Sequence, residues 1–450
     1  MESPGLTQRN TGKRLPSRPS TNGNPKIDEL KIQHDLFINQ HFTTFRQQCR
    51  ARILPWVQGE TPYLVRFQRR VRHYRTIDLY FILTSLLGNH NFFLVGLPML
   101  FWMGWTYFAR SLVVLVLGVT FLSGWVKDWL CLPRPPAPPV VRLTWNEAHG
   151  FEYGFPSTHT CYSVSVGLFL LTWSEQLAVD WQWGARVLIA MLVLSICVGR
   201  LYCGMHSLTD VTGGLVMGVA WWSVFHSGWP VVDQYITSGD ISVPFTLIAL
   251  ILVSLQTFPY AGGPCPCYQD CFASIGVIFG ILLGTWFFSG SRYALDDPYP
   301  ATIPFSYDQT GLFLTAVRIL LGLVILVLWK VLAQKLVDQF VIPQTTGHPK
   351  QEPSNEEVET IAAESPRKSS DTLQSVVAAT SCNGTTSQPP KVIFVPQGTI
   401  KDITSQRNLC RIVIYAGIGF LACYGVPILF EWLGLAFSPT HLKYWVNQEV

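Results

Sequence analysis

The chain has 450 residues, of which 49% are hydrophobic, 13% aromatic and only 13% charged, and its mean hydropathy is positive. A soluble domain carries about 25% charged residues, so this composition excludes an ordinary soluble protein and indicates a polytopic membrane protein. The formal net charge is only +4, and nucleic acid is not among the expected partners.

Residues 1–40 are rich in Pro, Asn, Ser and Lys, a composition expected to stay disordered. The first 76 residues are polar and basic, with no cleavable signal peptide, so the first span is expected to act as its own targeting signal. Of the 32 Lys and Arg residues, 14 precede Asp78. Residues 41–77 interleave aromatic and aliphatic side chains with Arg46, Arg50, Arg52, Arg66, Arg69, Arg70, Arg72 and Arg75. Such a segment reads either as an amphipathic helix on an anionic membrane surface or as a solvated basic flank.

Nine candidate spans follow, at about 79–103, 106–126, 158–177, 184–202, 207–227, 242–258, 271–289, 312–333 and 410–433. The sixth is short and could be re-entrant. The expected fold is all-α: a polytopic membrane helix bundle of eight or nine spans, its core over 78–335 and its last helix over 410–433. Between these, residues 336–409 read as a flexible polar loop, and 434–450 as a short C-terminal tail. Asn383-Gly384-Thr385 in the loop fits a glycosylation sequon, a triplet that also occurs often by chance.

Gly276, Gly280 and Gly284 recur on one face of the seventh span, which favours close helix packing. Of the 11 cysteines, Cys161, Cys197 and Cys423 fall within apolar runs and read as small buried hydrophobes. Cys265, Cys267 and Cys271 could suggest a metal site, but they lack a second ligand pair at zinc-site spacing. A loop thiol pair is the expected reading, and no metal or other cofactor is expected.

Three polar segments interrupt this apolar chain. Lys127 and Arg134, seven residues apart at the end of the second span, precede prolines 133, 135, 136, 138 and 139 that force an extended exit. Pro156-Ser157-Thr158-His159 opens the third span; Pro156 suits a first helical turn and Ser157 can cap it, leaving backbone N–H groups for an anion. His159 in that turn could hand a proton to a leaving oxygen. Arg200 ends the fourth span, with His206 and Asp210 beyond it. Four residues apart, His206 and Asp210 share a helical face, and a carboxylate beside an imidazole sets its tautomer and stabilises its charge. That pairing activates the ring as a nucleophile or a base, and a guanidinium such as Arg200 suits phosphate oxygens. Each segment alone has a plain structural reading: a cationic membrane edge, a helix start, an interfacial histidine with a capping aspartate. A charge at mid-bilayer costs roughly 2.5–3.5 kcal/mol even on lenient scales, and together the segments read as a phosphate site.

In this order the motifs resemble the signature of the type 2 phosphatidic acid phosphatase superfamily. The stretches starting at Lys127, Phe155 and Gly199 and the cysteine loop before the glycine-rich span are most similar to sphingosine-1-phosphate phosphatases and fungal long-chain-base phosphatases. Thr158 and Gly199 depart from the wider pattern, which usually has Gly and Ser there. The resemblance implies a six-helix-type phosphatase core, in an enzyme of sphingolipid metabolism in the endoplasmic reticulum membrane. It implies metal-independent hydrolysis of a phosphorylated sphingoid base through a phosphohistidine. His206 would be the nucleophile, Asp210 its orienting partner and His159 the acid, with Lys127, Arg134, Ser157 and Arg200 binding the phosphate. Phosphatidate or isoprenoid pyrophosphate is the alternative substrate, and a catalytically inactive lipid-binding or transport protein the alternative class. Arg318 and Glu431, inside the last two spans, are read as a structural pair rather than as substrate ligands.

By the span count, all three motifs fall on one side of the membrane, together with the basic N-terminal segment and the 336–409 loop. The opposite loops carry Asp180, Asp233, Asp240, Asp296 and Asp297. The positive-inside rule therefore makes the site cytosolic, whereas the resemblance implies a lumenal one; a crossing more or fewer before Lys127 would reconcile the two.

Overall fold

A computed structural model describes residues 38, 42–72, 74–86, 90–143, 152–259, 266–296, 299–337, 339 and 406–435. Nearly all of the 1–40 tail, most of the 336–409 loop with Asn383, the 434–450 tail beyond 435, and Cys265 lie outside these residues. Within them the regular structure is helical apart from one isolated bridge between Leu295 and Thr302.

Two short helices, α1 (Thr44–Gly59) and α2 (Thr61–Val71), precede the bundle. Then come α3 (Arg75–Leu86), α4 (His90–Trp102), α5 (Thr106–Leu130), α6 (Thr158–Trp173), α7 (Val179–Tyr202), α8 (Leu208–Thr237), α9 (Ser242–Thr257), α10 (Pro266–Ser289) and α11 (Tyr307–Leu336). The last crossing runs as α12 (Gln406–Phe420), a π turn at Leu421–Gly425, and α13 (Val426–Trp432). Among the described residues, 6 helical segments are long and apolar enough to cross a membrane: α5, α7, α8, α10, α11 and the α12–α13 unit. The protein is a multi-pass helical bundle.

Two expected spans, the third and the sixth, are short, with 16 residues each in α6 and α9. The first is described as α3 and α4, with residues 87–89 between them outside the described residues. α3 packs on α7, with Phe81 against Gly199, while the end of α4 reaches the opposite end of the bundle, where Trp102 donates to the Ala422 carbonyl. Together they reach from one end of the bundle to the other. The third, α6, has 16 residues and sits between α5, α8 and α7 as the central helix.

The ends of the bundle are fixed by long-range contacts. At one end Trp125 donates to Thr257 O at 3.0 Å and Arg411 to Gln269 at 2.8 Å. At the other, Trp286 donates to Asp240 O at 2.9 Å and Thr106 Oγ1 accepts from Ile303 N at 3.0 Å. The ends of α5 and α7 and the starts of α6 and α8 all lie at the first end. α10 and α12 interlock most closely, because Gly276, Gly280 and Gly284 let the α12 backbone approach at Ile412, Ala416 and Phe420. A Cβ at Gly276 would sit 2.6 Å from Ile412 O. Cys271 is buried where α10 meets α5, with its thiol against Gly124, which makes it a packing residue.

Arg318 belongs to the far end. It donates to Leu435 O at 3.0 Å and Pro304 O at 3.1 Å, and stacks on Phe430 and Phe305. These bonds tie the start of α11 to the end of α13, about 30 Å along the bundle from Lys127 at the length of α5. Arg110 and Asp233 form a buried ion pair at the same end, with 2.5 and 2.7 Å contacts between α5 and α8.

Candidate active site

The site is assembled from the exit of α5, the start of α6 and the α7–α8 turn. Lys127 lies in the last turn of α5, and Cys131 ends that helix in a left-handed conformation. The proline-rich exit then carries Arg134 across the bundle end. Its guanidinium donates to Met205 O at 2.8 Å, lies 3.2 Å from His206 Nε2, and donates to the Glu152 carbonyl and carboxylate at 3.0 and 2.8 Å. Lys127 Nζ reaches the same carboxylate oxygen, Glu152 Oε2, at 3.1 Å. A carboxylate thus sits on two of the cations expected to receive a phosphate.

His206 Nδ1 is 3.0 Å from the carbonyl oxygen of Gly154. A carbonyl only accepts, so Nδ1 carries the hydrogen and the lone pair lies on Nε2. That lone pair faces Arg134 Nη1. Asp210 stands slightly farther off, its Oδ2 3.6 Å from Nδ1, because the same oxygen accepts the backbone N–H of Ser207 at 2.8 Å. Ser207 Oγ in return accepts from Asp210 N at 3.1 Å. This reciprocal pair is the capping box that starts α8. The expected orienting hydrogen bond from Asp210 is therefore supplied by Gly154, and Asp210 acts on the ring as a nearby charge.

Gly154 is held by its own N–H to Leu132 O at 2.8 Å. A Cβ there would meet Pro133 O at 3.0 Å and Asp210 Oδ2 at 3.1 Å. Glycine lets this segment slot closely between the first and third motifs.

α6 begins at Thr158, so Pro156 precedes the helix instead of standing in its first turn. Ser157 holds the N-cap position but makes no side-chain cap bond. Its Oγ accepts from Thr160 Oγ1 at 3.1 Å, and its N–H donates to Asp210 O at 3.0 Å. His159 stands in the first turn, half-buried, with its ring 5.3 Å from that of Tyr162. Arg200 is buried in the last turn of α7, its Nε without a hydrogen-bond partner among the described residues.

Burial pushes the His206 pKa well below the ordinary imidazole value, and Arg134, Lys127, Arg200 and His159 push it further in the same direction. The ring is therefore neutral at pH 7, with its lone pair beside a cluster of cations. Guanidinium and ammonium groups clustered in this way suit the oxygens of a tetrahedral anion.

The basic N-terminal helices form part of this end. Arg46 is buried and donates to Asp128 O at 2.6 Å and to Trp129 O, with Phe42 stacked on its guanidinium. Gln68 accepts from Val141 N at 3.0 Å and donates to Val141 O and Tyr202 O at 2.8 and 3.0 Å. Glu60 accepts from Thr209 N and Oγ1 at 2.9 and 2.6 Å. Both loops of the site are thus clamped by α1 and α2. A cavity of about 620 Å³ opens beside the site, lined by Phe155, Pro156, Leu208, Val216, Met217 and Ala220 among others.

Glu152, Gly154 and Gln68 were not apparent as site residues from sequence. Glu152 is one of two acidic residues, with Glu147, between Arg134 and Ser157, so nothing in the local sequence singled it out.

The model of the PAP2 superfamily matches residues 108–232, a span that includes every residue of the three motifs. The dihydrosphingosine 1-phosphate phosphatase C823.11 of Schizosaccharomyces pombe is 32% identical over 425 residues, covering 89% of this chain and 95% of that protein. A dihydrosphingosine 1-phosphate phosphatase of Saccharomyces cerevisiae is 32% identical over 258 residues, 55% of this chain and 63% of that one. The mouse sphingosine-1-phosphate phosphatase 2 is 28% identical over 262 residues, 57% and 72% of the two chains. No solved structure matches the chain.

Proposed function

The chain belongs to the PAP2 superfamily, alongside these sphingoid-base phosphatases, and from that premise we propose that it is a membrane phosphatase acting on phosphorylated sphingoid bases such as dihydrosphingosine 1-phosphate. The observation that carries this reading is the neutral His206, with Nε2 beside Arg134 and Nδ1–H on Gly154 O, in a pocket where Lys127 and Arg134 already hold an anionic group.

In the proposed reaction the substrate phosphate binds Lys127, Arg134 and Arg200, with Ser157 at the start of α6. Its hydrocarbon chain has an apolar cavity at hand beside Phe155 and Leu208. The lone pair of His206 Nε2 forms a bond to phosphorus as the bond from phosphorus to the substrate's ester oxygen breaks. His159 gives that oxygen its proton. The phosphorylated ring is positive, and the Asp210 carboxylate 3.6 Å from Nδ1 stabilises it. Water then attacks phosphorus, His159 takes its proton, and inorganic phosphate leaves with His206 neutral again. Fixed cations aimed at the phosphoryl oxygens supply the electrostatic stabilisation. The endoplasmic reticulum is the proposed membrane, in keeping with sphingolipid metabolism.

The test is phosphate release from dihydrosphingosine 1-phosphate by purified protein with EDTA present, against a panel that includes phosphatidate and isoprenoid pyrophosphate. Turnover of the sphingoid phosphate supports the reading, and inactivity on every lipid phosphate ends it. Co-localisation of a tagged chain with a reticulum marker tests the compartment.

A further inference from the structure

The carboxylate of Glu152 is the feature of the site that phosphate hydrolysis does not require. Its Oε2 lies 3.1 Å from Lys127 Nζ and 2.8 Å from Arg134 Nη2, and its main-chain oxygen accepts from Arg134 Nε at 3.0 Å. The Glu152 side chain is 16% exposed, while those of Lys127 and Arg134 are 2% and 4% exposed. The carboxylate therefore stands at the mouth of the pocket with the cations behind it. The backbone bond to Arg134 keeps it there even when its side chain lets go.

An incoming phosphate, with a charge of about −1.5 to −2, takes the two cations from Glu152. The carboxylate is then left beside a dianion with its counter-charges removed, which is unfavourable in a half-buried site. A ligand can relieve this if it carries a cation close to its phosphate. A sphingoid base 1-phosphate does so: its ammonium sits on the carbon next to the phosphorylated one, within a few ångströms of the phosphoryl oxygens. Phosphatidate and isoprenoid phosphates have no such group.

Resting on the phosphatase reading above, we propose that Glu152 recognises the substrate's ammonium and sets selectivity for amine-bearing phosphates. On binding, the carboxylate exchanges Lys127 and Arg134 for the ammonium, and the phosphate takes the two cations. The site is occupied by an internal anion at rest and is charge-balanced only by a zwitterionic headgroup. Glu152 contacts substrate but exchanges no proton or bond, so its role is specificity.

The experiment compares kcat/KM for dihydrosphingosine 1-phosphate with that for its N-acetyl derivative, which loses the positive charge at little cost in size, in wild type and Glu152→Gln. The wild type is expected to favour the amine substrate at least ten-fold. Glu152→Gln should shrink that ratio at least ten-fold, mainly through KM for the amine. Glu152→Asp, which keeps the charge, should restore part of it. Competitive inhibition by inorganic phosphate checks that the cation pocket of Glu152→Gln still forms. A ratio unchanged in Glu152→Gln overturns the proposal: equal losses with weakened phosphate inhibition would make Glu152 a positioning residue for Lys127 and Arg134, and equal gains a mere anionic placeholder. Wild-type activity with no preference for the amine overturns this inference and leaves the phosphatase reading intact, whereas wild-type inactivity on every lipid phosphate overturns both.

Discussion

His206 donates its Nδ1–H to the carbonyl oxygen of Gly154 at 3.0 Å, so a glycine from the segment before α6 fixes the reactive tautomer of a histidine from the turn before α8. The proposed nucleophile is aimed by main chain, with Asp210 close by as a charge. This division of labour makes the small residue as consequential as the acidic one.

Gly154→Ala should be severe. Its new Cβ would press on Pro133 O and Asp210 Oδ2, at 3.0 and 3.1 Å, and shift the carbonyl that holds the ring. A misplacement of about 1 Å costs on the order of 10²-fold in rate. We expect kcat to fall by roughly that factor in the folded protein, with a lower melting temperature from the overpacking, as steady-state kinetics and thermal unfolding in detergent would report.

The two histidines should separate by leaving group. His206→Ala is expected to abolish both the phosphoenzyme and turnover. His159→Ala should lose about 10²–10⁴-fold on a sphingoid phosphate, the usual worth of a general acid, and far less on a nitrophenyl phosphate, whose leaving group needs little protonation. Equal losses on both substrates would make His159 a phosphate ligand instead of the acid.

The pH dependence follows from the neutral imidazole. Burial first, and then the neighbouring cations, lower the His206 pKa below the ordinary imidazole value of about 6.5. Its lone pair therefore survives as pH falls through that value, and the acid limb of kcat/KM attributable to this ring should lie below pH 6.5. Stability has the matching sign. The unfolded chain binds this proton near 6.5 while the folded one resists it, so this contribution to stability is present above that pH and declines below it. Melting temperatures at pH 7.5 and 5.5 and the pH profile of kcat/KM test the two statements; an acid limb above pH 7 would contradict the assignment.

Helix packing far from the chemistry should affect stability alone. Gly280 faces the Ala416 carbonyl with no room for a side chain. Overpacking costs typically 1–3 kcal/mol, so Gly280→Val should lower the melting temperature while the KM of surviving protein stays near wild type. Parallel thermal and kinetic measurements on detergent-purified protein would separate the two effects.

The sequence by itself determined the helical class, most of the spans and the end of the bundle at which the chemistry gathers. Those follow from runs of apolar residues and from charges too costly to leave in lipid without a purpose. It also named Lys127, Arg134, Ser157, His159, Arg200, His206 and Asp210 as one set, because their spacing returns each to the same end. The glycine stripe of α10 was legible too, since its spacing of four repeats on one helical face and the structure seats α12 against it. Local pattern could not show that Ser157 forgoes its cap bond for contacts with Thr160 and Asp210. It could not reveal Glu152 or Gly154 either. Glu152 meets Lys127 and Arg134 from 25 and 18 residues away, and Gly154 meets His206 from 52 residues away. A carboxylate or a glycine carries no mark of such partners in its own neighbourhood. What these residues do is decided by the groups that packing brings against them, and only the tertiary structure supplies those.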